Sequence, residues 1–469
     1  MPLKAWQAEL EERRRARPRI LSEEEQTWDE LTKLQESQDQ TLKMFWHSVV
    51  PGSGAPECLM RAAVQDTETR GRDVSLAESL LQQGLEAYSR NDMGRLASIT
   101  ARLLATLERS PLDPTHDYWS FDQVRTWDQH ERTVSFPPPA PVDLGEDFLR
   151  RVHAGWLAQV CGGAFGTALE GYTAANLAEV FGEVNGYVRR PNTYNDDITF
   201  ELAFLEAFAE RGRAVTSADV AEQWVALIPF GWSAEYIALQ NLKLGIYPPE
   251  SGERSNPYTE WIGAQMRGAV CGLVAPGDAR EAARLAWVDG VVSHSGNGVL
   301  GEAFNAMLTA LAFVRSDVRA LVEEVAGLIP AQSQYRWVLD QALAACKQSP
   351  DARTAWDRLE PLFERYNWIH AYPNAAAEVV ALWFGAGDFD LSMRYIAMCG
   401  QDVDCNAAQI ATVIGVMGGP EALAPRWTDP IGDNLITYVR GMEHLSIRDL
   451  ARRTADAARR RYPQSNSTK

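Results

Sequence analysis

Two short acidic stretches hold the residues of this chain best suited to chemistry, Asn195-Asp196-Asp197 and, far downstream, Asp402-Val403-Asp404-Cys405-Asn406. Each stands just ahead of an apolar run with helical period, residues 198–205 and 407–414. Carboxylates therefore gather at two helix entrances. Singly, each cluster has a bland explanation, because Asn and Asp are favoured N-caps and the helix dipole stabilises acidic first turns. If the fold brings the entrances together, the charges repel unless a cation lies between them. A pair of hard divalent ions with oxygen ligands meets that need.

The elements that must position these residues are helical. At 469 residues the chain is long enough for two folding units, and its 46% hydrophobic and 23% charged content is ordinary for a globular protein. A formal charge of −18 counts against nucleic-acid or anionic-membrane partners, which need clustered Lys and Arg. The basic runs Arg13–Arg15 and Arg459–Arg461 read as solvated helix faces. Six scattered cysteines without zinc spacing read as reduced thiols. With no secretory signal and no membrane-length apolar stretch, the expected location is the cytoplasm. Four prolines within residues 137–141 cannot continue a helix, so a linker is expected over 137–145. It would divide a helical accessory domain, residues 1–136, from a larger domain, residues 146–469.

In the first domain, Ser22-Glu23-Glu24-Glu25 reads as a capping box opening a helix toward Trp46, and residues 75–107 read as helix interrupted near Asn91-Asp92. Trp28, Trp46, Trp119 and Trp127 are expected to anchor its core or its contact with the second domain. The second reads as consecutive helices, among them 148–168, 198–210, 258–267, 299–314 and 406–417, with strand patterns almost absent. The expected fold is an all-α, orthogonal multi-helix bundle preceded by a smaller helical domain.

Four motifs in fixed order make the chain resemble the ADP-ribosylglycohydrolase family, which includes the dinitrogenase reductase-activating glycohydrolase. They are the Gly-rich run Gly162 to Gly171 with Glu170, then Asn195-Asp196-Asp197, then Ser293-His294-Ser295-Gly296-Asn297-Gly298, then Gly400 to Asn406. The resemblance spans roughly residues 148–442 and leaves out everything before the prolines. It implies an all-α bundle with two Mg²⁺ ions, or Mn²⁺, in a cleft where the glycosidic bond at the anomeric carbon of ADP-ribose is hydrolysed. It makes Asn195, Asp196, Asp197, Asp402 and Asp404 metal ligands, and Glu170, Asp196 and Asp404 catalytic. Asn195 stands where the family has a hydroxyl, and its carbonyl is still a hard donor. Cys405 replaces a second hydroxyl and is a poor magnesium ligand.

The resemblance also bears on substrate contacts. Gly166, Arg267, His294, Asn297, Gly298, Cys405 and Asn406 are candidates, with Arg267 aimed at a diphosphate. Each has a structural rival: close helix packing for the glycines, a salt bridge for Arg267, an ordinary hydrogen-bonding role for His294. Trp232, Tyr258 and Trp261 could stack on a base or pack the core. The expected substrate is an ADP-ribose-containing or ribosyl small molecule, or an ADP-ribosylated protein. The alternative from another class is an inactive ADP-ribose-binding or toxin-immunity protein that keeps the fold.

Overall fold

The computed structural model describes residues 2–460; Arg461 of the C-terminal basic run and the polar tail after it lie outside the described residues. The fold is all-α: 23 α-helices are joined by loops and three two-stranded sheets among the described residues. None of these helices is long and apolar enough to cross a membrane.

The chain forms two compact units, residues 1–45 and 46–469. The first holds the Ala5–Arg15 helix, whose last turn carries Arg13, Arg14 and Arg15 where the dipole favours cations. Ser22 and Glu25 do exchange capping-box hydrogen bonds (2.9 and 3.3 Å), but these close an isolated turn. The next helix starts only at Asp29, and Trp28, expected to anchor either the core or the contact with the second domain, is exposed.

The second unit contains residues 46–136, which the proline run was expected to set apart. Buried polar bonds explain the difference. Tyr258 donates to the Leu59 carbonyl (2.9 Å), Trp261 Nε1 to Asp66 (3.2 Å) and Tyr118 to Glu260 (3.0 Å). His130 bonds the Leu328 carbonyl at 2.8 Å and accepts from Trp287 at 3.0 Å. The proline run is itself fastened down, since the Ala140 N–H donates to the Gly277 carbonyl at 2.9 Å. It is an extended strap across one core. Helices Ser75–Ser89 and Met93–Glu108 break where expected, at Asn91 (φ 54°), with Asp92 capping the second.

At the centre, helix Glu146–Gly166 packs along helix Val403–Gly418. The latter is buried on nearly every face, as is helix Asn297–Ala312, so their sequences lack a polar stripe. Two glycines permit the close crossing. A Cβ at Gly162 would lie 2.4 Å from the Ala407 carbonyl oxygen, and one at Gly166 would lie 2.2 Å from the Asp404 backbone. Residues 258–267, expected as helix, form turns ending in a single 3₁₀ turn at Gln265–Arg267.

Candidate active site

Helix Asp196–Arg211 begins at Asn195, whose side-chain oxygen accepts the Asp197 N–H at 2.7 Å. The same side chain donates from Nδ2 to Asp404 Oδ2 at 3.2 Å, joining the two acidic motifs directly. Asn195 is thus a cap and a donor, with its nitrogen, not its oxygen, toward Asp404.

The second motif is held by its backbone. Gly400 and Gln401 both take φ of 68°, a left-handed pair that turns the chain sharply before Asp402. They pair with Thr173 and Tyr172 as a short antiparallel ladder, and the Gly171 N–H donates to the Gln401 carbonyl at 2.9 Å. That ladder sets Glu170 beside the turn. Asn374 secures it from behind, accepting the Asp402 N–H (3.1 Å) and Asn406 Nδ2 (2.7 Å) while donating to the Trp368 and His370 carbonyls (2.8 Å each).

Five carboxylates therefore converge: Glu170, Asp196, Asp197, Asp402 and Asp404. Among the described residues, no Lys or Arg forms an ion pair with any of them. Burial, and then mutual repulsion led by Asp404, holds Glu170, Asp197 and Asp402 well above the usual carboxylate range. Asp196 is exposed, yet protein crowds it closely enough that desolvation, followed by Asp404, pushes it up to about 6. That combination describes a side chain reached by solvent at the floor of a recess. Both oxygens of Asp197, Oδ1 of Asp402 and Oδ1 of Asp404 are buried without a hydrogen-bond partner. Unpartnered buried oxygens cost free energy unless a cation takes them. Hard anionic donors at this density fit magnesium or manganese.

Cys405 is 5% exposed, with its sulfur 3.8 Å from the Met266 sulfur, and a ligand atom from each of Asp402, Asp404 and Cys405 fits within 4.8 Å. Burial and the neighbouring carboxylates push the thiol well up, which keeps it a neutral S–H facing the Met266 sulfur.

Several expected substrate contacts lie instead in the interior. Arg267 is fully buried, donating to Asp289 (2.5 Å), the Gly263 carbonyl (2.6 Å) and Ser293 (3.0 Å) and facing Trp224 at 4.9 Å. A diphosphate cannot reach it. His294 is also fully buried, 2.7 Å from Ser293 Oγ, and burial followed by Arg267 holds it well below the usual imidazole range, hence neutral. Asn297 holds Glu260 (2.9 Å) and accepts the Tyr335 N–H (3.1 Å), and Gly298 fits because a Cβ would strike the Thr259 carbonyl at 2.4 Å. Asn406 is fully buried against Asn374, and Gly166 is a packing glycine against Asp404. Tyr258 and Trp261 are core residues.

Other residues reach the site without a motif to announce them. Glu57, from the hairpin of Ser48–Val49 and Pro56–Glu57, accepts Trp232 Nε1 (2.9 Å) and Ser48 Oγ (3.1 Å) on one oxygen, and burial, with a smaller push from Asp196, raises its carboxyl. In the same hairpin loop, a Cβ at Gly52 would lie 2.9 Å from Glu170 Oε1, and Tyr172 donates to the Ser53 carbonyl at 3.2 Å. Phe230, 55% exposed, stacks on Tyr438 (4.7 Å, 18°), with Tyr194 5.4 Å beyond; Asp196 is among the charges acting on Tyr438. This aromatic surface borders the recess.

The geometry is that of a polycarboxylate site in an all-α fold. The sequence model of the ADP-ribosylglycohydrolase family matches residues 144–464, more than half of the chain, and the chain belongs to that family. Among solved structures it is similar to one described as an "ADP-ribosylglycohydrolase-related protein complex", at 19% identity and TM-score 0.44, covering 67% of this chain and 98% of that one. No curated protein sequence matches.

Proposed function

We propose that this chain is a metal-dependent hydrolase that cleaves the glycosidic bond at the anomeric carbon of ADP-ribose or a related nucleotide-type N-riboside. The observation carrying this reading is the Asn195–Asp404 bond, which places unpartnered oxygens of both motifs in one recess without a protein cation. Asp196, Asp197, Asp402 and Asp404 would hold two divalent ions, magnesium or manganese. When bound, the ions supply charge neutralisation and Lewis acidity at oxygen.

The chain's own residues supply the rest. Glu170 is half-buried at the edge of the cluster, and burial followed by repulsion from Asp404 raises its carboxyl, which suits it to protonation of the departing group. Asp196, the exposed member, faces the ribose. Positive charge developing at the anomeric carbon is stabilised by the surrounding carboxylates. Phe230, Tyr438 and Tyr194 offer a flat face to a base. Asn374 keeps the Asp402 turn in place from behind.

Release of ADP-ribose from ADP-ribosyl-arginine, ADP-ribosyl-serine and NAD-type N-ribosides, with magnesium and with EDTA, tests the proposal. The wild type is expected to turn over at least one of them with magnesium, and Asp196→Ala and EDTA each to abolish turnover. Tight ADP-ribose binding without product from any of the three would replace the enzyme by a binding protein.

A further inference from the structure

A cavity of about 480 Å³ lies outside the acidic recess: none of the five converging carboxylates lines it. It lies between residues that precede the family domain, from Thr67 to Arg125, and residues 250–259 and 295 of that domain. Four arginines line it: Arg70, Arg72, Arg125 and Arg254. In a chain of net charge −18 such a concentration needs a reason.

Arg70 is built in. It donates to Asp66 (2.9 Å), the Pro257 carbonyl (2.8 Å) and Thr259 Oγ1 (3.3 Å), which fixes its guanidinium at the cavity wall. Arg72 donates to the Ser110 carbonyl at 2.8 Å and, among the described residues, has no carboxylate within ion-pair distance. Burial, then Arg70 and more weakly Arg125, makes its charge harder to hold. Arg254 likewise has no ion-pair partner among the described residues, and Arg125 reaches Glu253 only at 3.7 Å. The strained Ser255 (φ 53°) continues the wall beside Arg254. Leu104 and Leu107 give an apolar side, and Glu108 and Glu250 offer acceptors for hydroxyls.

We propose that this cavity binds a phosphorylated small molecule, its phosphoryl group held by Arg72, Arg254 and the anchored Arg70, its hydroxyls turned to the glutamates. Arginine forks match phosphate oxygens in pairs, which a point charge cannot do. The volume suits a sugar phosphate or a nucleotide. The site is independent of the hydrolase reading, because it shares no residue with the acidic recess.

The test is calorimetric titration of inorganic pyrophosphate into the full chain in EDTA, which silences any metal-dependent binding at the acidic recess. The wild type is expected to bind one pyrophosphate saturably. Arg72→Ala and Arg254→Ala should each weaken binding by about tenfold or more, the loss of one charge-assisted pair. Asp404→Asn should bind as the wild type does. Arg254 is exposed, so its replacement leaves the fold intact and keeps the test decisive. Absence of saturable binding up to about 10 mM, weaker than any useful site, would overturn the proposal. So would wild-type affinity in Arg254→Ala, or loss of binding in Asp404→Asn.

Discussion

Two groups of buried carboxylates in this molecule answer the same electrostatic problem differently. Around Arg267 stand Asp289, Glu235 and Glu302, at 2.5, 3.5 and 4.0 Å from the guanidinium, with Glu302 raised well above its usual range by burial and then by Asp289. The chain encodes its own cation there, and Trp224 and Phe200 flank it at 4.9 and 5.7 Å. Around Asp404 stand Glu170, Asp196, Asp197 and Asp402, and the charges that shift all four are acidic. The first is a finished structural joint. The second is a socket with no ion-paired Lys or Arg among the described residues, open to solvent at Asp196; under the proposed function a divalent ion fills it.

The largest expected effect breaks the first group. Arg267→Met removes its only cation and strands carboxylates in the core, which costs about 3–5 kcal/mol when one partner of a buried pair is lost. Urea denaturation should show that loss, while Asp404→Asn in metal-free protein should be as stable as the wild type or more so, having shed a repelling charge. Equal stability of Arg267→Met and wild type would erase the distinction between joint and socket.

A smaller effect fills the socket. A divalent ion that binds only the folded chain stabilises it by about 2.7 kcal/mol at a hundred times its dissociation constant. Thermal unfolding with and without magnesium or manganese should therefore show a rise for the wild type. Asp197→Asn, which alters the carboxylate with two unpartnered oxygens, should lose most of it. Glu235→Gln, beside Arg267, should keep it.

The sequence made this contrast only half visible. The acidic motifs announced themselves because cap residues and ligands are the same residue types, and the apolar runs behind them fixed their places at helix starts. Glycines at 162 and 166 were legible as close approaches, and their partners, Ala407 and Asp404, emerge only once two helices cross. Arg267 and His294 looked like ligand contacts because polar residues in a glycine-rich turn usually face solvent. Nothing local says that Asp289 and Glu235 arrive from other helices to bury them. Glu57 and Asn374 were invisible for the same reason, each reaching the site from a segment with no motif. The proline run misled about the domain boundary because it reports backbone stiffness alone. The bonds that tie residues 46–136 to the rest, such as Tyr118 to Glu260, span long sequence separations.

A third kind of buried carboxylate supplies the smallest test and sharpens the contrast. Glu378 has neither a protein cation nor an opening to solution; Gln265 and Asn305 donate to one of its oxygens at 2.9 and 3.2 Å, and the other has no partner. Burial pushes its carboxyl up from 4.5 to about 8. The folded state therefore keeps a proton that the unfolded chain has released. The stabilisation is complete below pH 4.5 and is lost as pH rises through 8. In that window one extra bound proton changes stability by up to about 1.4 kcal/mol per pH unit. Glu378→Gln keeps the shape and an acceptor but cannot titrate. Its unfolding free energy, measured in urea from pH 5.5 to 9, should fall less steeply than that of the wild type up to about pH 8 and run parallel to it above. Parallel curves throughout would mean that Glu378 is ionised in the fold, and that a carboxylate here can stay charged without any cation at all.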